Sequence, residues 1–148
     1  MSTAKIFAGL SHARRLHVGC IIVKEDRIIS IGYNGMPAGW DNNCEDEFPC
    51  EDGEYSRQLL PKTSNLWESY NLKTKPEVLH AETNAIAKLA RSSDSGLDAD
   101  LFVTHSPCLD CAKLIYQSGI RRVWYGAEYR SSEGIDFLRR SGVEVDHV

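Results

Sequence analysis

Leu101-Phe102-Val103-Thr104-His105-Ser106-Pro107-Cys108-Leu109-Asp110-Cys111-Ala112-Lys113-Leu114-Ile115-Tyr116-Gln117-Ser118-Gly119 reads as a strand running into a helix. Leu101 to Thr104 is a short apolar run of the buried-strand type, and Cys108 to Ser118 predicts a helix closed by Gly119. Downstream, Arg121 to Gly126 predicts a strand, Ser132 to Arg140 a helix closed by Gly142, and Val143 to Val148 a last strand. Upstream, Ala81, Ala85, Ile86, Leu89 and Ala90 give a helical face that begins at His80 and ends near Arg91 to Ser95. Val18 to Lys24 and Arg27 to Gly32 are β-rich runs joined by Glu25-Asp26, as in a tight antiparallel hairpin. Ile6, Phe7 and Leu10 predict a first helix over Ala4 to Arg15. A hairpin followed by alternating strands and helices implies an α/β fold, a mixed sheet with helices on both faces.

The chain has 148 residues, enough for one domain with a hydrophobic core, and residues 1–148 are read as a single domain. Residues 40–78 are read as an insertion within it, acidic at first (Glu45, Asp46, Glu47, Glu51, Asp52, Glu54), with one helix from Asn65 to Tyr70. The net charge of -4 argues against a surface that neutralises a nucleic-acid backbone, but not against a small anion in a local basic pocket. No apolar run reaches the roughly 20 residues of a membrane span, and the N-terminus lacks a signal-peptide plan. A cytoplasmic protein without membrane contact is therefore expected. There the five cysteines read as metal ligands or reduced thiols and not as a disulfide frame.

Cys108 and Cys111 are three apart at a helix start, so both sulfurs leave one face. The positive end of that helix favours thiolates. His80 opens its own helix and supplies a third donor if the two helix starts converge. Three protein ligands leave the fourth tetrahedral position of zinc for water, as a catalytic site requires. Zinc brings the pKa of bound water to about 7, which makes hydroxide available at neutral pH. Glu82, two residues past His80, is free to take the water proton, pass it to a ring N3 and later protonate departing ammonia. A purely structural zinc site, or a chance meeting of the two motifs, is the alternative. The full His80-x-Glu82 … Pro107-Cys108-x-x-Cys111 pattern matches that of zinc base deaminases.

Gly32-Tyr33-Asn34-Gly35-Met36-Pro37-Ala38-Gly39, Leu79 to Ile86 and Val103 to Lys113 together resemble the deoxycytidylate (dCMP) deaminase family. Val18-Gly19 and Gln117-Ser118-Gly119-Ile120 are similar too, so the likeness spans the chain apart from the insertion. The resemblance implies a cytidine-deaminase-like three-layer α/β/α fold with a mixed five-stranded sheet. It implies zinc-dependent conversion of dCMP to dUMP, a thymidylate precursor, with activation by dCTP and inhibition by dTTP. It further implies a homo-oligomer, a hexamer, and Mg2+ accompanying the triphosphate effector.

By position, Asn34 would contact the sugar, Ala81 would offer its backbone N–H to the base, Tyr129 would border the substrate and Arg15 would meet the 5′-phosphate. The Gly32 to Gly39 loop would take the effector. Each has a plainer alternative: Asn34 and the loop serve a turn, Tyr129 packs, and Arg15 is a solvated helix residue. Two departures from the family stand out. His105 replaces a usually apolar residue, and Ala13 and Val78 stand where some members carry ligands of a second zinc. Cys44 and Cys50 are read as reduced thiols, with a further ion as the alternative, and His12, His17, His147 and Cys20 as structural or solvated. Two other functions remain open: a deaminase of a base in nucleic acid, which needs a basic aromatic channel, and a non-catalytic nucleotide sensor stabilised by zinc.

Overall fold

Glu25 and Asp26 both sit at positive φ (49° and 59°), the backbone of a two-residue hairpin turn whose twist matches that of the flanking strands. The computed structural model describes residues 1–49, 59–61 and 67–148. In chain order the elements are α1 (Ser2–Ala8), β1 (Gly19–Lys24), β2 (Arg27–Tyr33), β3 (Glu45–Pro49), β4 (Leu59–Pro61), β5 (Trp67–Thr74), α2 (Ala81–Leu89), β6 (Asp100–His105), α3 (Leu109–Gln117), β7 (Arg122–Ala127), α4 (Glu133–Arg140) and β8 (Glu144–His147).

The main sheet has five strands in the order β2-β1-β6-β7-β8. β1 is antiparallel to β2 and β6, whereas β6, β7 and β8 run parallel, so the sheet is mixed as expected. Gly19 and Cys20 are adjacent on β1 and therefore face opposite ways. A Cβ on Gly19 would strike the backbone of Ala4 and Ala8 in α1. Cys20 pairs with Gly32, whose added Cβ would strike the backbone of Ala81 and Ala85 in α2. Helices α1 and α2 thus cover opposite faces, α3 packs beside α2, and α4 packs beside α3. That is the three-layer α/β/α arrangement. Ile22, Leu101, Val103, Val123, Ile115 and Leu138 are fully buried between the sheet and the α2–α4 layer.

Two expectations are corrected. The first helix ends at Ala8, not Arg15. Gly9 closes it, and Ser11 holds the turned chain by donating to the Asn34 carbonyl (2.8 Å) and accepting the Ala13 N–H (3.2 Å). The insertion carries a three-stranded antiparallel sheet, β3-β5-β4, in place of a helix from Asn65 to Tyr70. Residues 67–70 pair as β5 with β3 and β4, while Asn65 and Leu66 lie outside the described residues.

Candidate metal centre and substrate cavity

Two helix starts meet at one point. His80 and Cys108 occupy the N-cap positions of α2 and α3 with extended backbones (φ -71°, ψ 157° and φ -70°, ψ 169°), and neither side chain caps its helix. Both turn instead toward each other. His80 Nδ1 lies 3.6 Å from Cys108 Sγ and 3.4 Å from Cys111 Sγ, and all three donor atoms fall within 4.8 Å of one another. Glycines allow the approach: Gly32 leaves room for the first residue of α2, and a Cβ on Gly134 of α4 would come within 2.1 Å of the Pro107 carbonyl oxygen. Gly134 was not singled out in the sequence. Its only signal there is a glycine inside a helical segment.

The donor set suits zinc chemically. Hydrogen bonds from the Cys111 thiol and from His80 pull the Cys108 thiol down to about 4, while Cys111 is pushed up by its bond to Cys108 and by burial. His80 is raised, chiefly by its hydrogen bond to Cys108. Protons shared among an imidazole and two sulfurs occupy the place a divalent cation takes, and two thiolates with one imidazole are common catalytic zinc ligands. Thr83 Oγ1 lies 3.6 Å from Cys111 Sγ and holds that sulfur from behind. Among the described residues this is the one His/Cys/Asp/Glu cluster of metal-binding geometry. Cys44 is buried and unbonded to another sulfur, and Cys50 lies outside the described residues.

Glu82, in the first turn of α2, is 4% exposed. Burial pushes its carboxyl up to about 7, against the lowering effects of a backbone hydrogen bond and His80. A carboxyl poised near neutrality can both take and release a proton.

A cavity of about 410 Å³ opens in front of Glu82, within the usual range for small-ligand sites. Every substrate residue expected from the sequence lines it: Arg15, Asn34, Ala81 and Tyr129. Ala81 is fully buried at the first helical position, where the backbone N–H has no helical partner. Asn34 also serves the turn, accepting the Val18 N–H and donating to the Leu16 carbonyl, both at 2.8 Å. Tyr129 donates its N–H to Ser106 Oγ (2.7 Å) and is half exposed, with the Arg130 guanidinium 5.6 Å from its ring centroid. Arg15 lies in a turn and not on a helix, and its Nη1 donates to Thr74 Oγ1 on β5 (3.0 Å).

The sequence missed part of the cavity wall. Glu45, Asn71, Leu72 and Thr74 bring the insertion into the cavity, and Arg130 and His105 complete its rim. Glu45 is 1% exposed and accepts the Arg14 N–H with both carboxylate oxygens (3.1 Å each) and the Arg15 N–H at 3.4 Å. Those bonds satisfy the buried charge. They leave the Arg15 and Arg130 guanidiniums as cavity cations with no carboxylate partner among the described residues. No helix among these residues is long and apolar enough to cross a membrane.

The fold and this site define a zinc-type base deaminase, a hydrolase of ring amino groups. The family model described as the cytidine and deoxycytidylate deaminase zinc-binding region matches residues 1–127, and the chain belongs to that family. The deoxycytidylate deaminase of Enterobacteria phage T4 is 36% identical over 159 aligned positions, covering 88% of this chain and 78% of the phage protein. The dCMP deaminase of cyanophage S-TIM5, solved in complex with dCMP and dUMP, superimposes with a TM-score of 0.79 at 39% identity, covering 99% of this chain and 92% of that one. A tRNA:A34 deaminase shares only the fold, at 23% identity and a TM-score of 0.59 with full coverage of this chain and 95% of the other.

Proposed function

We propose that the chain converts dCMP to dUMP with one zinc ion held by His80 Nδ1, Cys108 Sγ and Cys111 Sγ. The observation that carries this reading is a buried carboxyl poised near neutrality beside those donors, in a cavity also lined by two guanidiniums without a carboxylate partner among the described residues. Bound zinc would supply hydroxide at neutral pH by lowering the pKa of its water to about 7. Glu82 takes the proton that the attacking water releases and delivers it to ring N3 as C4 becomes tetrahedral. The C4–N bond then breaks. One water proton ends on N3, the other leaves on ammonia through Glu82, and the oxygen stays on C4.

The Ala81 N–H reads the base. Asn34 uses its remaining amide N–H for the sugar, and Tyr129 borders the ring and sugar. Arg15, with Arg130 of the same cavity, holds the 5′-phosphate. Both sheets wall the cavity, which supports residues 1–148 working as one domain.

Regulation follows from the same reading. The Gly32 to Gly39 loop would take dCTP as activator, with Mg2+, or dTTP as inhibitor. Gly35 and Leu79 exchange two backbone hydrogen bonds (3.1 and 2.9 Å), which ties that loop to the residue before His80. The assembly is a homo-oligomer, a hexamer, in the cytoplasm of its cell or host.

Zinc-loaded protein incubated with dCMP, deoxycytidine and a cytosine-containing oligonucleotide tests this reading, with dCTP and dTTP added in separate arms. Fast dUMP formation, slower attack on deoxycytidine and none on the oligonucleotide are expected. Turnover of the oligonucleotide alone would overturn it.

A further inference from the structure

His105 closes β6, lines the cavity and lies three residues ahead of Cys108. Its ring Nδ1 is 3.1 Å from Thr104 Oγ1. That hydroxyl already accepts the Gly19 N–H at 3.1 Å. Thr104 is 7% exposed, so its own proton needs an acceptor within the protein. Nδ1 is the acceptor it meets. The ring proton therefore sits on Nε2, which finds no protein partner among the described residues. Burial lowers the imidazole pKa from its ordinary value, which favours the neutral ring. A half-buried donor of fixed tautomer, unpaired and beside a ligand cavity, is suited to a ligand oxygen.

We infer that His105 Nε2–H is a specificity-determining donor to an acceptor oxygen of the bound nucleotide, with Thr104 as the positioning residue that fixes its tautomer. The inference rests on the proposed substrate class. Two oxygens offer the same chemistry, the ring O2 and a phosphate oxygen, and the substrates separate them.

His105→Leu removes the donor, whereas His105→Gln returns an N–H near the Nε2 position. A neutral hydrogen bond contributes about 0.5–1.5 kcal/mol, so the leucine variant should raise KM for dCMP about two- to tenfold with kcat little changed. The glutamine variant should stay within about twofold of the parent. If the oxygen belongs to the phosphate, KM for deoxycytidine does not move in the leucine variant. If it is O2, both substrates weaken alike.

Independently of turnover, nitrogen-15 spectra of histidine-labelled, zinc-loaded protein should show an unprotonated Nδ1 and a protonated Nε2 that shifts when dUMP is added. A leucine variant with parental KM, leucine and glutamine variants equally impaired, or an Nδ1–H tautomer would each overturn the inference. Should the leucine variant not fold, His105→Ala and the spectra decide it. A parent protein that leaves dCMP untouched but shows the expected tautomer would break the proposed function and not the donor geometry.

Discussion

Two groups of residues at the cavity are held by different physics. In the first group, His80, Glu82, Cys108 and Cys111 lie at the N-cap or in the first turn of α2 or α3, and each helix start is pressed against backbone where a glycine permits it. In the second group, Arg15, Glu45 and Thr74 come from a turn and from a second sheet, joined by hydrogen bonds between segments distant in sequence, and Arg130 lines the same cavity. The first group is fixed by secondary structure, and on the proposed function it sets the chemistry. The second is assembled by tertiary contacts, and on the same proposal it sets which molecule the chemistry meets. Substitutions in the two groups should therefore separate, kcat in one and KM in the other.

The largest effect is expected in the first group. Glu82→Gln should keep zinc and lower kcat by about 10²- to 10⁴-fold, the usual contribution of a positioned proton carrier. Metal analysis beside single-turnover kinetics checks both halves. The same residue leaves a mark on stability. Its folded pKa of about 7 lies above its unfolded one, so the metal-free folded state holds an extra proton between roughly pH 4.5 and 7. The wild type should then lose up to about 3 kcal/mol relative to Glu82→Gln as pH rises through that window, and a pH-independent difference would contradict it.

A smaller effect, of the other kind, is expected in the second group. A charge-assisted hydrogen bond contributes about 1.5–3 kcal/mol, so Arg15→Ala should raise KM for dCMP by roughly ten- to a hundredfold. Its kcat should hold, and KM for deoxycytidine should barely move. Equal losses for the two substrates would erase the distinction between the groups. The mildest effect lies in the same group. Glu45→Gln replaces an acceptor of three N–H contacts with a group that is half donor, and about 1–3 kcal/mol of unfolding free energy should be lost in denaturant titrations. Unchanged stability would mean that the insertion is not held through Glu45.

The same contrast explains what could be read in advance. His80, Glu82, Cys108 and Cys111 were legible because local rules govern helix starts, and three-residue spacing puts two sulfurs on one face. The hairpin and the parallel β6–β7–β8 units were legible for the same reason. The first helix was overdrawn because Leu10 continues the apolar period of Ile6 and Phe7, although Gly9 already ends the helix. Residues 67–70 were misread as helical because no clean alternation marks β5, whose strand identity comes from pairing with Glu45–Pro49. Glu45 had no local signal at all: its carboxylate is defined by backbone N–H groups about thirty positions upstream. Arg130 was passed over for its neighbour Tyr129, and only the fold brings it into the same cavity as Arg15.

The most direct test is to measure dUMP formed from dCMP and zinc bound per chain on one preparation, before chelation, after it, and after zinc is restored. One zinc per chain, with activity lost on chelation and regained on reloading in the parent but not in Cys111→Ala, is the expected result. Undiminished dUMP formation by zinc-free protein would contradict the account.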